Sequence, residues 1–459
     1  MKKLIILLLA VCLAVSSCGK SKSSSKKSSR VHDSSSEVQT KQQDKSKFAQ
    51  KTEAVRQQSL GYFSHSDGWK ASPYYEQSDI EKLKKDINGL EDFPVFMGSQ
   101  VQYFPSGEEF YASLLEELDK AQEFIFMEYF ILEEGEMWSA IHEILSRKLR
   151  EGVEIRLMID GFDLSAGIID RQFIKALEQE GISVRIFSPI NVAVSENYSA
   201  RDHRKLTVID GKTAYTGGVN LADEYINAVE KYGKWKDNSI LIRGGAVDSC
   251  TLMFLQLWNI YEEEPDWESY LRNEECPGED LVMPFSEDPF DDEQTAEAIY
   301  LDLINTAEKS VKIMTPYLIL DRDMENALKA AAQRGVEVTI IIPGIPDKET
   351  VYAAAKTFYP RLYEAGIKLY EYSPGFIHSK AIICDDSRGV VGTINLDYRS
   401  FYEHFECGFY LCGEVIGEVS ADFENTIPVC RAVTQQVIDE IPFDTQLEGE
   451  LMQLIKPML

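Results

Sequence analysis

Two stretches far apart in the chain carry the same spacing of the same residue types. "RDHRKLTVIDGKTAYTGGVN" (201–220) sets His203, Lys205 and Asp210 in an H-x-K-x-x-x-x-D pattern, and "GFIHSKAIICDDSRGVVGTIN" (375–395) repeats it with His378, Lys380 and Asp385. The register runs on: Gly217 and Asn220 lie 14 and 17 residues after His203, and Gly392 and Asn395 lie 14 and 17 residues after His378. At ordinary Lys and Asp frequencies, a given His meets the pattern about once in 300. Two hits among six histidines are then expected by chance on the order of 1 in 10,000. The chain is therefore a duplication, and its fold must accommodate two copies of one unit.

The copies extend upstream. "AQEFIFMEYFIL" (121–132) matches "AEKSVKIMTPYLIL" (307–320), a helix end followed by an apolar strand. "MWSAIHEILSRKLREGVEIRLMIDG" (137–161) matches "MENALKAAAQRGVEVTIIIPG" (324–344), and "FIKALEQEGISVRIFSP" (173–189) matches "FYPRLYEAGIKLYEYSP" (358–374). Each of these pairs reads as an amphipathic helix closed by Gly and followed by a buried strand. Segments 106–121 and 294–307 supply the helices that open the repeats. Each half thus reads β-α-β-α-β, then the motif strand and a hairpin partner. This is an α/β class chain with a mixed, mostly parallel sheet flanked by helices in each half. The expected boundaries are a first lobe over 98–261, an acidic connector over 262–293 and a second lobe over 294–459. Within the connector, "DLVMPF" has the look of a short strand opening the second half. Residues 56–97 give no clear pattern.

The N-terminus has its own organisation. "MKKLIILLLAVCLAVSSC" joins two lysines to an apolar run of about 12 residues, short of the roughly 20 that span a bilayer. Residues 1–18 therefore read as a signal peptide, and "VSSC" resembles a lipoprotein processing site with Cys18 as the lipidated residue. An ordinary secretory signal and a short signal anchor are the other readings. The Ser/Lys-rich stretch 19–55 cannot bury a core and reads as a disordered tether. Its lysines would either rest on anionic lipid, at about 1 kcal/mol each, or simply be solvated. Residues 19–51 carry nine Lys or Arg against three acids, so the body is more acidic still than the net charge of −29. That argues against a body that holds nucleic acid on a general basic surface. Cys250, Cys276, Cys384, Cys407, Cys412 and Cys430 show no zinc spacing and read mostly as buried small hydrophobes.

On a strand, His203 and Lys205 face the same way, as do His378 and Lys380. That pairing suits a phosphate: the lysine neutralises phosphoryl oxygens, and the imidazole can attack or carry a proton. Two such pairs packed face to face would set two histidines across one phosphorus. Asn220 and Asn395 can donate to the same oxygens as charge develops. Asp210 precedes Gly211, a hairpin signal, and Asp385 also falls at a strand end, so these two suit turn-shaping better than chemistry. His142 begins an H-E-x-x-H pattern that Ser146 breaks. His32 and His65 are unassigned, and His404 in "FYEHFE" reads as a residue packed near the site.

These motifs resemble the two signatures of the phospholipase D superfamily. With "EYFIL", "YGKWKD", "YSPGFIHSK", "GTINLDYRSF" and "HFEC", the chain from about Phe93 to its end is similar to bacterial cardiolipin synthase. The resemblance implies two lobes related by pseudo-twofold symmetry around one interfacial site, with no metal or cofactor. It implies His203, Lys205 and Asp210 with His378, Lys380 and Asp385 as the catalytic set, His203 being the nucleophile and His378 the general acid and base. Asn220 and Asn395 bind phosphate, and Asp237 and Glu406 orient the histidines, unless Asp237 is instead a surface partner of Lys234 or Lys236. The implied reaction transfers a phosphatidyl group from one phosphatidylglycerol to another and releases glycerol. The partners would be phosphatidylglycerol and anionic membrane lipid, with no nucleic acid. Relatives typically begin with two transmembrane helices. A lipoprotein-like signal in their place implies a lipid-anchored body on the outer side of the cell membrane, and leaves open the leaflet and the product. The competing readings are a phospholipase D hydrolase releasing phosphatidic acid, a secreted nuclease, and a lipoprotein that binds lipid without turning it over.

Overall fold

The computed structural model describes residues 47–188, 199–274, 276–291 and 293–456. Residues 1–18, read as a signal peptide ending at Cys18, and most of the stretch 19–55 read as a tether lie outside them. The first half has strands β1 (Ser99–Phe104), β2 (Phe124–Tyr129), β3 (Glu154–Asp160), β4 (Ser183–Phe187), β5 (Arg201–Asp202), β6 (Lys205–Ile209), β7 (Thr213–Gly217) and β8 (Ser239–Gly244). The second has β9 (Leu281–Glu287), β10 (Ser310–Met314), β11 (Leu318–Ile319), β12 (Glu337–Pro343), β13 (Lys368–Tyr372), β14 (Ala381–Cys384), β15 (Arg388–Gly392), β16 (Leu396–Asp397), β17 (His404–Cys412) and β18 (Cys430–Ala432).

The two main sheets have one topology. The first runs β1-β8-β7-β6-β2-β3-β4, and the second runs β9-β17-β15-β14-β10-β12-β13, extended by β18 on the β13 edge. In each, the three crossover strands are parallel (β2-β3-β4 and β10-β12-β13) and the hairpin strands add antiparallel pairings. Every residue of β2 is buried, as expected of a strand covered on both faces. The helices between the strands are those of the amphipathic repeats. Glu136–Glu151, for example, stops at Gly152, whose φ of 92° is the left-handed conformation that ends helices.

One apolar cluster covers the outer face of the first sheet and another that of the second. The third joins the inner faces of both: Phe126, Leu206 and Ile240 from the first half pack in one core with Ile341, Ile383 and Phe409 from the second. Two helices, Ala246–Trp258 and Glu414–Thr426, follow β8 and β17 and lie in this shared core. Each touches the first strand of the other half, β9 and β1 respectively. Tyr103 of β1 also donates to Asp422 at 2.7 Å. The halves therefore share a core rather than merely touching, and residues 46–459 form one unit.

Within the stretch read as a tether, residues 47–55 are helical instead. A helix over Lys47–Leu60 buries Ala49, Thr52, Val55 and Ser59, and Gln256 donates to the Ser59 hydroxyl at 2.8 Å. The low-complexity composition of residues 19–46 had masked the point where apolar spacing begins. Farther along, Trp69, Ile80, Leu83, Leu90 and Phe93 join the outer core of the second half. The unreadable segment is thus a cover for that lobe. Among the described residues no helix is long and apolar enough to cross a membrane. The six cysteines of the body are free, and Cys250, Cys384, Cys407 and Cys412 are buried.

Candidate active site

Each motif histidine sits just ahead of a strand rather than within it. His203 lies between β5 and β6, and His378 lies three residues before β14. The reason is a backbone exchange between halves. The His203 N–H donates to the Phe405 carbonyl at 2.9 Å, and the His378 N–H donates to the Lys236 carbonyl at 2.6 Å. β5 also pairs with the start of β17, Arg201 against His404 and Asp202 against Phe405.

The side chains exchange in the same way. His203 Nδ1 is 2.8 Å from Glu406 Oε1, and His378 Nδ1 is 2.8 Å from Asp237 Oδ2. Each imidazole is held by an acid from the other half, and both acids are fully buried. Glu406 also accepts from the Ser400 hydroxyl at 2.8 Å and the Thr393 hydroxyl. Asp237 accepts from Trp235 Nε1 at 3.2 Å and the Asn238 N–H at 2.9 Å. With Nδ1 so occupied, Nε2 of each ring is the nitrogen left for the cavity.

The matched glycines make these approaches possible. Gly217 opposes Ser239 and Gly392 opposes Gly408, each two residues past an orienting acid. A Cβ on Gly217 would meet the Asn238 carbonyl at 2.4 Å, and one on Gly392 the Cys407 carbonyl at 2.4 Å. A Cβ on Gly218 would fall 1.9 Å from Asp237 Oδ1. The glycines thus let the acid-bearing strand close on the histidine of the other half.

His203, His378, Asn220 and Asn395 line one cavity of about 260 Å3. It lies between the halves, with Phe130, Tyr225, Trp235, Tyr317 and Phe376 among its walls. Lys205 and Lys380 are 1% exposed beneath it, and their amines donate to the carbonyls of His203 and His378. Asn220 accepts from the Ile131 N–H at 3.1 Å and donates to the Tyr225 hydroxyl at 2.7 Å, which among the described residues leaves one amide hydrogen uncommitted. Asn395 Oδ1 is buried without a hydrogen bond among the described residues.

Burial governs the electrostatics. It pushes His203 well below the usual imidazole range, helped by the charge of Lys205. It pushes His378 down to about 4, with Lys380 acting the same way and Asp237 opposing. Lys205 falls to about 8 and Lys380 to about 7, again chiefly by desolvation. Burial raises Glu406 to about 8 against the pull of Lys205. Asp237 is also penalised by burial, yet stays below its ordinary value because His378 and Lys380 favour its charged form. Three donors, His203 Nδ1 and the Ser400 and Thr393 hydroxyls, hold Glu406 as the carboxylate against its burial; the imidazoles are neutral, and near neutrality Lys205 is mostly charged and Lys380 about half so.

Asp210 and Asp385, the last members of the two motifs, are not in this cavity. Asp210 caps the β6–β7 turn with φ of 54° and accepts from the N–H groups of Gln122, Glu123 and Phe124 at 2.7–2.9 Å. Asp385 has φ of 54° and accepts from Glu308, Lys309 and Ser310 at 2.7–3.0 Å. Each ties its hairpin to the start of the neighbouring central strand, a role in stability and not chemistry. Asp210→Ala is expected to cost about 2–4 kcal/mol, read from urea unfolding, while kcat of the folded protein changes less than about twofold. A large loss of kcat at unchanged stability would contradict this.

Sequence reading missed Lys348 and Arg399, which line the cavity and whose charges act on His404. Their one signal was position: Arg399 lies four residues past Asn395. His142 instead pairs with Glu180 at 2.8 Å, outside the cavity. His203, His404 and Glu406 bring possible metal-ligand atoms within 4.8 Å of one another. That donor set suits a divalent ion poorly, since Glu406 already serves His203, Ser400 and Thr393, and the charges of Lys205, Arg201 and Arg399 act on the same histidines.

Two duplicated α/β lobes that exchange acids across paired H-x-K signatures define a phospholipase D-like enzyme. The comparisons with known proteins narrow this further. The family model described as "Cardiolipin synthase, PLD-like domain" matches residues 114–241 and 300–427. The chain is 33% identical over 377 residues to a cardiolipin synthase of Geobacillus thermodenitrificans, covering 80% of this chain and 74% of that one. It is 44% identical over 402 residues to an uncharacterised protein of Streptococcus mutans, covering 84% and 87%. The phosphatidylserine synthase structure from Haemophilus influenzae shares the fold at a TM-score of 0.65 and 16% identity, over 83% of this chain and 99% of that one. The chain belongs to the cardiolipin synthase family of phospholipase D-like phosphatidyltransferases.

Proposed function

We propose that the protein makes cardiolipin from two molecules of phosphatidylglycerol through a phospho-histidine intermediate. The observation that carries this reading is the reciprocal pairing of two histidines with acids at one small cavity. The phosphodiester of the first lipid sits between the rings, its charge offset by Lys205 and Lys380. His203 Nε2 attacks phosphorus, and His378 Nε2 gives a proton to the departing glycerol oxygen. In the second step His378 takes the proton from the terminal hydroxyl of another phosphatidylglycerol. That oxygen attacks phosphorus, the P–N bond breaks, and His203 returns neutral. Free His378 binds its proton weakly, but a phosphate anion beside it opposes the charge of Lys380 and raises its proton affinity.

Cavity size supports a membrane-borne substrate. About 260 Å3 is below the range of pockets that enclose whole drug-sized ligands, so headgroups enter it while the acyl chains stay outside. Lipidation at Cys18 would keep the body at the membrane that supplies them. Intact-mass analysis of the N-terminal peptide tests this, and an unmodified peptide retaining residues 1–17 would remove the anchor from the scheme.

The deciding experiment incubates the protein with phosphatidylglycerol vesicles and follows cardiolipin, glycerol and phosphatidic acid. Cardiolipin with equimolar glycerol is expected. Phosphatidic acid alone would mean that water resolves the intermediate and the enzyme is a hydrolase.

The lysines predict a pH dependence. An amine with a lowered pKa is charged below that value and neutral above it, so raising pH through about 7 to about 8 removes phosphate-binding charge from Lys380 and then Lys205. KM is expected to rise on the alkaline side while kcat changes less, because bound phosphate restores the protons. Initial rates across the range test this, and a KM independent of pH up to about 9 would contradict it.

A further inference from the structure

The two halves match at the reacting centre and diverge around it. Two residues before each motif histidine stand Arg201 and Phe376, and two residues before each orienting acid stand Trp235 and His404. Four residues past each asparagine stand Glu224 and Arg399. All six line the cavity. On the His378 side the neighbours are aromatic, with ring centroids of Trp235, Tyr225 and Phe376 at 5.3, 5.5 and 5.9 Å from the imidazole. The lining also carries Arg201, Arg399, Lys348 and His404, with His404 and the aromatic ring of Phe130 next to His203 at 5.2 and 5.0 Å. A duplication that has kept its reacting pairs but broken symmetry in its walls is shaped by parts of the substrate that are not themselves symmetric.

His404 is the clearest sign of a ligand there. It is 6% exposed, its ring lies 5.2 Å from that of His203, and neither ring nitrogen makes a hydrogen bond among the described residues. Its Nδ1 is 3.5 Å from Glu406 Oε1 without hydrogen-bond geometry. Burial first, then the charges of Arg399, Lys205, Arg201 and Lys348, hold it well below the usual imidazole range. It is thus a neutral donor surrounded by cations. Arg399 meets Glu403 at 3.5 Å, and its Nε makes no hydrogen bond among the described residues. The Lys348 amine reaches the Tyr317 hydroxyl at 3.4 Å and lies over that ring. Of the carboxylates on the cavity wall, Asp347 and Glu224 are committed elsewhere, while Asp397 is within reach of the charges of Arg399 and Lys348, which favour its ionised form. Asp397 takes the Ser400 N–H at 2.8 Å, Asp347 the Tyr317 hydroxyl at 2.6 Å, and Glu224 pairs with Lys231 at 2.6 Å.

We propose that His404, Arg399 and Lys348 form a second anion subsite, which holds the phosphodiester of the acceptor lipid while its terminal hydroxyl attacks the phospho-histidine. The inference rests on the synthase reading. Cardiolipin carries two phosphates one glycerol apart, so a site that joins two lipids must hold two anions at once. The lysine and asparagine pairs serve the phosphorus under attack. The flexible glycerol of the acceptor folds its own phosphate back to this subsite. An uncharged alcohol has no use for it.

The test compares two acceptors on the full chain in phosphatidylglycerol vesicles containing butanol, scoring cardiolipin against phosphatidylbutanol. For Lys348→Gln and Arg399→Gln the ratio of cardiolipin to phosphatidylbutanol is expected to fall about tenfold or more, the scale of a lost charge-assisted hydrogen bond. Lys348→Arg is expected to keep most of the ratio, and His404→Leu to lower it. Parallel loss of both products, leaving the ratio unchanged, would overturn the subsite. If the unmodified enzyme gives phosphatidylbutanol and phosphatidic acid but no cardiolipin, the synthase reading itself fails, and the subsite fails with it for a separately visible reason.

Discussion

Alanine at either His203 or His378 is expected to lower turnover of phosphatidylglycerol by at least about a thousandfold, the scale seen when an essential nucleophile or proton carrier is removed. The fold should survive both changes. Glu406 keeps the Ser400 and Thr393 hydroxyls, and Asp237 keeps Trp235 Nε1 and the Asn238 N–H, so neither buried acid is left without donors. The two variants should nevertheless differ. A phosphatidyl ester of p-nitrophenol has a leaving group that departs without a proton. On that substrate His378→Ala is expected to release a burst of nitrophenol equal to the enzyme and then slow, because nothing activates the second alcohol. Phosphatidyl-His203 should accumulate and be visible by intact mass. His203→Ala should give no burst. A burst in the His203 variant alone would reverse the roles, and normal turnover of phosphatidylglycerol by either variant would end the two-histidine mechanism.

Much of this site was legible because the chemistry is duplicated. Spacing held across two copies marked His203, Lys205 and Asn220 with their counterparts, and the strand and helix order followed from apolar runs closed by glycines. What spacing could not give was the partner of each side chain. Asp237 and Glu406 act across 141 and 203 residues of chain, and only a resemblance pointed to them. Asp210 and Asp385 shared the register of the chemical residues while doing structural work, because a hairpin that presents a histidine needs its turn fixed as firmly as its active end. Lys348 and Arg399 escaped notice because the walls of the cavity, unlike its centre, have no second copy to compare. The helix at Lys47–Leu60 was hidden by the polar composition of the stretch before it.

The exchange of acids between halves makes the second large prediction, and the one that bears most directly on the architecture. Glu406→Gln and Asp237→Asn are each expected to reduce kcat by about a thousandfold or more, as when a buried carboxylate that fixes a catalytic imidazole tautomer is replaced by its amide. Residues acting as one unit are not additive. Glu406→Gln should therefore add little to His203→Ala, although one lies in the second half and the other in the first, and Asp237→Asn should add little to His378→Ala. The nitrophenyl substrate sharpens the pairing. Asp237→Asn weakens the proton donor His378, so the burst should persist, whereas Glu406→Gln disables the nucleophile and should abolish it. If each acid served the histidine of its own half, these outcomes would be interchanged: the burst would survive Glu406→Gln and vanish with Asp237→Asn. Reciprocal dependence also means that neither half holds a complete His–acid pair. A chain ending after the first half would keep His203, Lys205 and Asn220 and still lack the carboxylate that holds the attacking ring in register.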